Sequence, residues 1–166
     1  MPVVRGSCLC RSVKYEITGP LIRSGHCHCS NCRKAHGAAF RSRARVRVEG
    51  FKWVQGRELV KYFESSPGFH RGFCSVCGSP IVNRPDRTRN SESLGSLDDD
   101  PGIRPERHSF VASKAPWFEI TDDFGIYQFC VARACAPGTQ NCGRFGPVLS
   151  PRIGQREREG LMPSSE

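Results

Sequence analysis

Seven of the chain's ten cysteines stand in three tight groups, Cys8-Leu9-Cys10, Cys27-His28-Cys29-Ser30-Asn31-Cys32 and Cys74-Ser75-Val76-Cys77. Thiols one or two residues apart are spaced to bring several sulfurs onto one ion. A closed structural zinc takes four protein ligands, while a catalytic zinc usually keeps three and leaves a position for an exchangeable ligand. Seven thiolates therefore divide as four and three and predict two zinc ions, a division that suits an enzyme. An even count of ten also suits a disulfide framework, so that alternative stays open at this point.

A chain of 166 residues fits one domain with a modest core that metal ligation would reinforce. No stretch approaches the roughly 20 apolar residues of a membrane span, and Met1-Pro2-Val3-Val4-Arg5-Gly6 offers no apolar signal region. The expected compartment is the cytosol, without a membrane partner. Thiols stay reduced there, which favours metal ligation over bridges. The net charge of +9 suits an anionic partner, a nucleic-acid surface or plain solubility. Arg41, Arg43, Arg45 and Arg47 alternate with Ser42, Ala44 and Val46, so an extended strand would present four guanidinium groups on one face. A solvated strand face is the first expectation, and a binding stripe the second.

Period-two alternation recurs and sustained helical periodicity does not. Val13, Tyr15 and Ile17 alternate with Lys14, Glu16 and Thr18, and Ala44, Val46 and Val48 repeat the pattern. Further strands are predicted at 58–64, 69–74, 80–83, 92–97 and 109–113, separated by turn sequences such as Ser66-Pro67-Gly68 and Asp100-Pro101-Gly102. One helical turn is predicted at 32–36. The predicted fold class is all-β and mostly antiparallel.

The cysteine spacings fit that layout. In Cys8-x-Cys10 both side chains leave the same face of an extended segment, and Cys74-x-x-Cys77 followed by Gly78 has the form of a zinc knuckle. Together they predict a four-sulfur structural site that pins the N-terminal strand to a distant hairpin. Cys27-x-Cys29-x-x-Cys32 places three sulfurs around one ion from a single segment. Two alternatives remain open: reduced core cysteines for the first set, and a closed Cys3His site using His26, His28 or His36 for the second.

The segments Gly6-Ser7-Cys8-Leu9-Cys10, Cys27-His28-Cys29-Ser30-Asn31-Cys32-Arg33-Lys34, Phe73-Cys74-Ser75-Val76-Cys77-Gly78-Ser79, Leu94-Gly95-Ser96-Leu97-Asp98-Asp99 and Ser113-Lys114-Ala115-Pro116-Trp117 occur in order. Over about residues 4 to 123 they resemble the glutathione-dependent formaldehyde-activating enzyme family, which also includes centromere protein V. The resemblance implies an Mss4-like β-tent stabilised by zinc. It implies a structural zinc on Cys8, Cys10, Cys74 and Cys77 and a catalytic zinc on Cys27, Cys29 and Cys32. It also implies addition of glutathione to formaldehyde, a carbon–sulfur lyase-type reaction giving S-hydroxymethylglutathione. The implied domain spans 1–123, and 124–166 is a divergent, partly disordered tail whose Cys130, Cys135 and Cys142 have irregular spacing.

Three thiolates on Zn²⁺ carry a formal charge of −1, which suits a soft thiol ligand better than activation of water. The expected chemistry is addition of a small thiol such as glutathione to a small aldehyde. Arg33 and Lys34 are candidates to offset the charge or hold a substrate carboxylate, or else are exposed helix side chains. Lys114 and Trp117 are candidates for a pocket wall. His108, Asp98 and Asp99 could serve proton transfer, although spacing assigns none of them to the zinc. The alternative function is a non-catalytic zinc-stabilised protein whose basic surface binds nucleic acid or an acidic protein.

Overall fold

The alternation in Lys14-Tyr15-Glu16-Ile17 is realised as burial, with Tyr15 and Ile17 inside and Lys14 exposed. The computed structural model describes residues 2–84 and 88–129. Its elements are β1 (Val4–Ser7), β2 (Lys14–Ile17), β3 (Ile22–Cys27), α1 (Ser30–His36), β4 (Arg41–Arg47), β5 (Phe51–Gln55), β6 (Val60–Ser66), β7 (Phe69–Cys74), β8 (Pro80–Arg84), β9 (Arg89–Ser93), β10 (Arg107–Ser109) and β11 (Gly125–Tyr127). Short 3-10 turns occupy Val48–Gly50, Arg57–Leu59, Leu94–Ser96 and Val111–Ser113. One sheet has the order β1-β2-β5, and the other β11-β10-β3-β4-β9-β8-β7-β6. The mostly antiparallel β class expected from the sequence is what the chain adopts. The exception is β10, which runs parallel to both β3 and β11.

Four strands, β1, β3, β5 and β11, lie outside the ranges predicted. β3 hides its nature because its buried residues are Ser24, Gly25 and Cys27 rather than an apolar alternation. The strands predicted at 92–97 and 109–113 instead end early and pass into 3-10 turns. At the second, Phe110 takes a left-handed φ of 60°, which breaks the strand. The segment after Asp123 supplies β11, and the remaining tail, 130–166 with its three cysteines, lies outside the described residues. Among the described residues no helix is long and apolar enough to cross a membrane.

The core lies where β1 and β2 meet β4, β7 and β8, and contains Val4, Val13, Tyr15, Ile17, Val46, Ile81 and Val82 together with Cys8 and Cys74. Phe51 stacks on Tyr15 at 5.1 Å between centroids, and Trp53 meets it edge-on at 6.1 Å. Gly6 is required here, because a Cβ would lie 2.2 Å from Tyr15 Cζ. The Tyr15 hydroxyl hydrogen-bonds to Ser96, so the ring is satisfied at both ends.

β4 departs from the solvated face expected of its arginines. Arg41 is 2% exposed, Arg43 and Arg45 are half-buried, and only Arg47 is exposed. On the opposite side of the sheet, Glu92 pairs across to Ala44 and Val82 and is fully buried, with no hydrogen bond to either carboxyl oxygen. Burial pushes its carboxyl up to about 8, against the pull of Arg41 and Arg84. A carboxyl raised on folding favours the protonated fold, so stability falls as pH rises from the ordinary carboxylate range toward 8. Glu92→Gln should therefore flatten the pH profile. Between pH 5 and pH 8 the variant should gain on the order of 3 kcal/mol relative to the parent. Denaturant melts at the two pH values measure this, and parallel profiles would contradict it.

Candidate metal centres

Cys8 and Cys10 sit on the turn after β1, where Cys8 N donates to Val13 O and Arg11 N donates to Cys8 O. Cys74 and Cys77 flank the turn between β7 and β8, closed by Gly78 N donating to Cys74 O at 2.8 Å. Gly78 has φ 75°, the left-handed conformation that glycine adopts without strain. The four sulfurs lie within 4.8 Å of one another. Cys8 to Cys10 is 3.4 Å and Cys10 to Cys74 is 3.9 Å. A tetrahedral ion held at about 2.3 Å by sulfur sets its ligands roughly 3.8 Å apart, so the set fits such an ion. Val13 N donates to Cys8 Sγ, and Leu9 N donates to Ser79 Oγ, so backbone amides and hydroxyls support the turns. Burial pushes the Cys8 thiol up to about 11, whereas hydrogen bonding with Ser79 brings Cys77 down to about 5.

The second set joins Cys27 at the end of β3 with Cys29 and Cys32, which open α1. Cys29 caps the helix, its sulfur accepting from Cys32 N at 3.3 Å. The three sulfurs lie within 4.8 Å of one another, and among the described residues no histidine nitrogen or carboxylate joins them at that distance. The Cys3His alternative is not what the chain builds. Hydrogen bonds from Cys29 and Cys32 pull the Cys27 thiol far below its ordinary value, with Arg43 adding to the pull. The Cys27 sulfur in turn pushes up Cys29 and Cys32. Three thiols in contact oppose one another's ionisation, and a cation among them relieves that conflict.

Guanidinium groups surround this set. Register pairs Cys27 with Arg41 and Gly25 with Arg43. Arg41 donates from Nε to Ser93 Oγ (3.1 Å), from Nη1 to Ser91 Oγ (3.3 Å) and from Nη2 to Ser91 O (2.5 Å). Turned toward the arginines, the Asn83 amide oxygen accepts from Arg41 Nη1 at 2.6 Å and from Arg71 Nη1 at 3.3 Å. Arg71 Nη1 also lies 3.8 Å from Cys32 Sγ, and its Nε donates to Ser65 Oγ. Burial lowers Arg41 to about 10, and the Cys32 and Cys27 sulfurs oppose that shift. The ion therefore stays charged at neutral pH. A cavity of about 610 Å³ is bordered by Cys8, Ser79, His36, Phe40, Arg41 and Ser93. Arg41 and His36 thus border the cavity and also act electrostatically on Cys27.

Behind the Cys27–Cys29 segment runs a chain of hydrogen bonds. Asp122 accepts from His108 Nε2 at 2.9 Å, and His108 Nδ1 lies 2.7 Å from His28 Nε2. A carboxylate at one end fixes the direction: His108 presents a bare Nδ1, His28 donates from Nε2, and the buried His28 Nδ1 is left unprotonated and without a partner. Phe40 and Phe118 pack against His28, and Phe124 stacks near His108.

The residues predicted from sequence are distributed as follows. Arg33 is half-buried on α1 with its Nε unpartnered, and Lys34 is exposed. Lys114 Nζ donates to the carbonyls of Ala115 and Phe118, closing its own turn. Trp117 is 71% exposed, and neither it nor Lys114 borders the cavity. Asp98 accepts from Ser7 and borders the cavity, Asp99 pairs with Arg5, and neither carboxylate joins the three sulfurs within 4.8 Å, whereas His108 belongs to the histidine chain. Sequence reasoning missed Arg41, Arg43 and Arg71 at the sulfurs. Only the β4 alternation hinted at them.

A family model described as glutathione-dependent formaldehyde-activating enzyme matches residues 3–113. A crystal structure of a Rhodobacter sphaeroides protein is similar at 24% identity and a TM-score of 0.49, over 61% of this chain and 91% of that one. No curated protein matches.

Burial first, and then repulsion from His108, lower His28 to about 4. Long-range ¹H–¹⁵N spectra should therefore show His28 neutral from pH 8 to pH 5, and Asp122→Asn should shift both ring nitrogens of His108. Titration of His28 near 6.5, its ordinary value, would contradict the hydrogen-bond chain.

Proposed function

The chain belongs to the glutathione-dependent formaldehyde-activating enzyme family, and from that premise we propose that it adds a small thiol such as glutathione to a small aldehyde at a zinc ion held by Cys27, Cys29 and Cys32. A second zinc, on Cys8, Cys10, Cys74 and Cys77, is structural. The observation that carries this reading is the unequal donor count of two sulfur sets that are otherwise alike in spacing. Four sulfurs complete a tetrahedron, and three leave one coordination position for an outside ligand.

Bound zinc supplies a soft Lewis acid that favours the thiolate form of a thiol, the form that attacks carbonyl carbon. The protein's contribution is charge and placement. Arg41 and Arg71 lie beside Cys32, where they offset the negative charge that rises when a thiolate joins three others. The His28–His108–Asp122 chain anchors the residue between two of the ligands and so holds the sulfurs in register. In the addition a carbon–sulfur bond forms, the carbonyl π bond breaks, and the thiol proton ends on the new hydroxyl. The alternative of a polyanion-binding arginine stripe fits less well, because Arg41 is buried and faces sulfur.

The cobalt-substituted protein should show a saturable change in its visible spectrum on titration with glutathione. A tetrahedral sulfur spectrum unmoved by glutathione would reject thiol binding at the site. Cys27→Ser, Cys29→Ser or Cys32→Ser should abolish any acceleration of ¹³C-formaldehyde exchange into the glutathione adduct while leaving a folded chain. Cys74→Ser should cost several kcal/mol of stability. Equal unfolding in the two groups would count against the partition.

A chain ending at Asp123 would lack Phe124, which stacks against His26 and His108, and would lack β11. We expect it to melt earlier than one ending at Phe129, and equal melting of the two would show that β11 contributes nothing.

A further inference from the structure

The hydroxyls that border the cavity of about 610 Å³ are already committed. Ser7 donates to Asp98, Ser42 meets His26 Nδ1, Ser79 accepts from Leu9 N, Ser93 accepts from Arg41, and Ser96 meets Tyr15. Arg41 spends its own donors on Ser91, Ser93 and Asn83. Two bordering side chains that carry N–H donors, Arg11 and His36, make no hydrogen bond or ion pair with any described residue. Arg11 stands on the far wall, in the turn that carries Cys8 and Cys10. His36 ends α1, one helical turn after Cys32 and on the same face of the helix. It shares the cavity border with Arg41, whose register partner across the β3–β4 pair is Cys27.

His36 is half-buried, and neither ring nitrogen is sealed from solvent. Burial first, and then the positive charges of Arg41 and Arg71, lower it to about 4, with the Cys27 sulfur opposing them. At neutral pH the ring is therefore an uncharged imidazole with one N–H to donate and one bare nitrogen. Among the described residues no other histidine borders the cavity. A fixed N–H donor aimed at a carbonyl oxygen stabilises the negative charge that develops there, and an uncharged imidazole does this without releasing a proton.

We propose that His36 is a catalytic residue of the addition, its ring N–H donating a hydrogen bond to the aldehyde oxygen in the cavity while the thiol sulfur attacks the carbon. The inference rests on the proposed thiol chemistry at Cys27, Cys29 and Cys32 and names the group that acts on the carbonyl partner. The carbon–sulfur bond forms, and the carbonyl π pair moves onto oxygen. That oxygen then takes from solvent the proton that the thiol released to solvent. His36 keeps its own proton throughout and makes no covalent bond.

The test uses the full chain. In His36→Ala the acceleration of ¹³C-formaldehyde exchange into the glutathione adduct should fall roughly ten- to a hundredfold, with glutathione binding to the cobalt-substituted protein unchanged. His36→Gln keeps an N–H donor and should retain part of the acceleration. Long-range ¹H–¹⁵N spectra of the zinc-loaded parent supply a readout that needs no variant. The His36 ring nitrogens should shift further with the preformed glutathione–formaldehyde adduct than with glutathione alone. Identical shifts in the two titrations would overturn the inference even if both variants proved unstable. So would full acceleration in His36→Ala, an equal loss of glutathione binding in that variant, or a parent that binds glutathione without accelerating the exchange. A cobalt spectrum of the parent unmoved by glutathione would instead reject the underlying reading of the three-sulfur set.

Discussion

Four sulfurs from segments more than sixty residues apart converge where the two sheets meet, placed so that one ion could join them. Cys8 and Cys10 lie on the turn that follows the first strand of the small sheet, and Cys74 and Cys77 lie on a turn of the large one. Their convergence sets where β2 presents Tyr15 and Ile17, and so where the core can close. Cys8 and Cys74 are themselves part of that core, so the ligand set and the apolar packing are one object. A chain of this size buries a modest core, and an ion bound by the four sulfurs would add stability where apolar area is limited.

The second constraint is electrostatic. Arg41 is a buried cation whose hydrogen bonds go to neutral partners, an arrangement that is unfavourable in isolation. Its compensation comes from the sulfurs of Cys32 and Cys27 across the β3–β4 pair. Fold and site therefore depend on each other: the strand pairing puts the cation against the thiolates, and the thiolates make burial of the cation tolerable. Substituting a neutral residue at position 41 would change the charge around the three sulfurs as well as the packing.

Much of this was legible in the chain. The Cys-x-Cys and Cys-x-x-Cys spacings identify the sulfur sets because two ligands on one turn need only local geometry, and Tyr15, Ile17 and Val46 identify the core by alternation. The environment of the three-sulfur set was not legible, since it arises from register. Arg41 meets Cys27 when β3 pairs with β4, and Arg71 meets Cys32 only once β7 has joined the same sheet. The helix-borne Arg33 and Lys34 were the natural candidates because they are neighbours in sequence, yet β4 and β7 bring other guanidinium groups to the sulfurs. β3 escaped notice for a related reason: a strand that buries serine, glycine and cysteine carries no hydrophobic signal.

The parallel pairing of β3 with β10 bears on the order in which the protein assembles. His28 and His108 are eighty residues apart, and the strand that flanks Cys27 cannot pair with β10 until residue 109 has left the ribosome. The four-sulfur set is complete in sequence once Cys77 has emerged. During synthesis the chain can therefore close its structural clamp first, while the three-cysteine segment still lacks its histidine and aromatic backing. A nascent chain built this way can join its two sheets at the four-sulfur set before the three-cysteine segment gains the backing that fixes its surroundings.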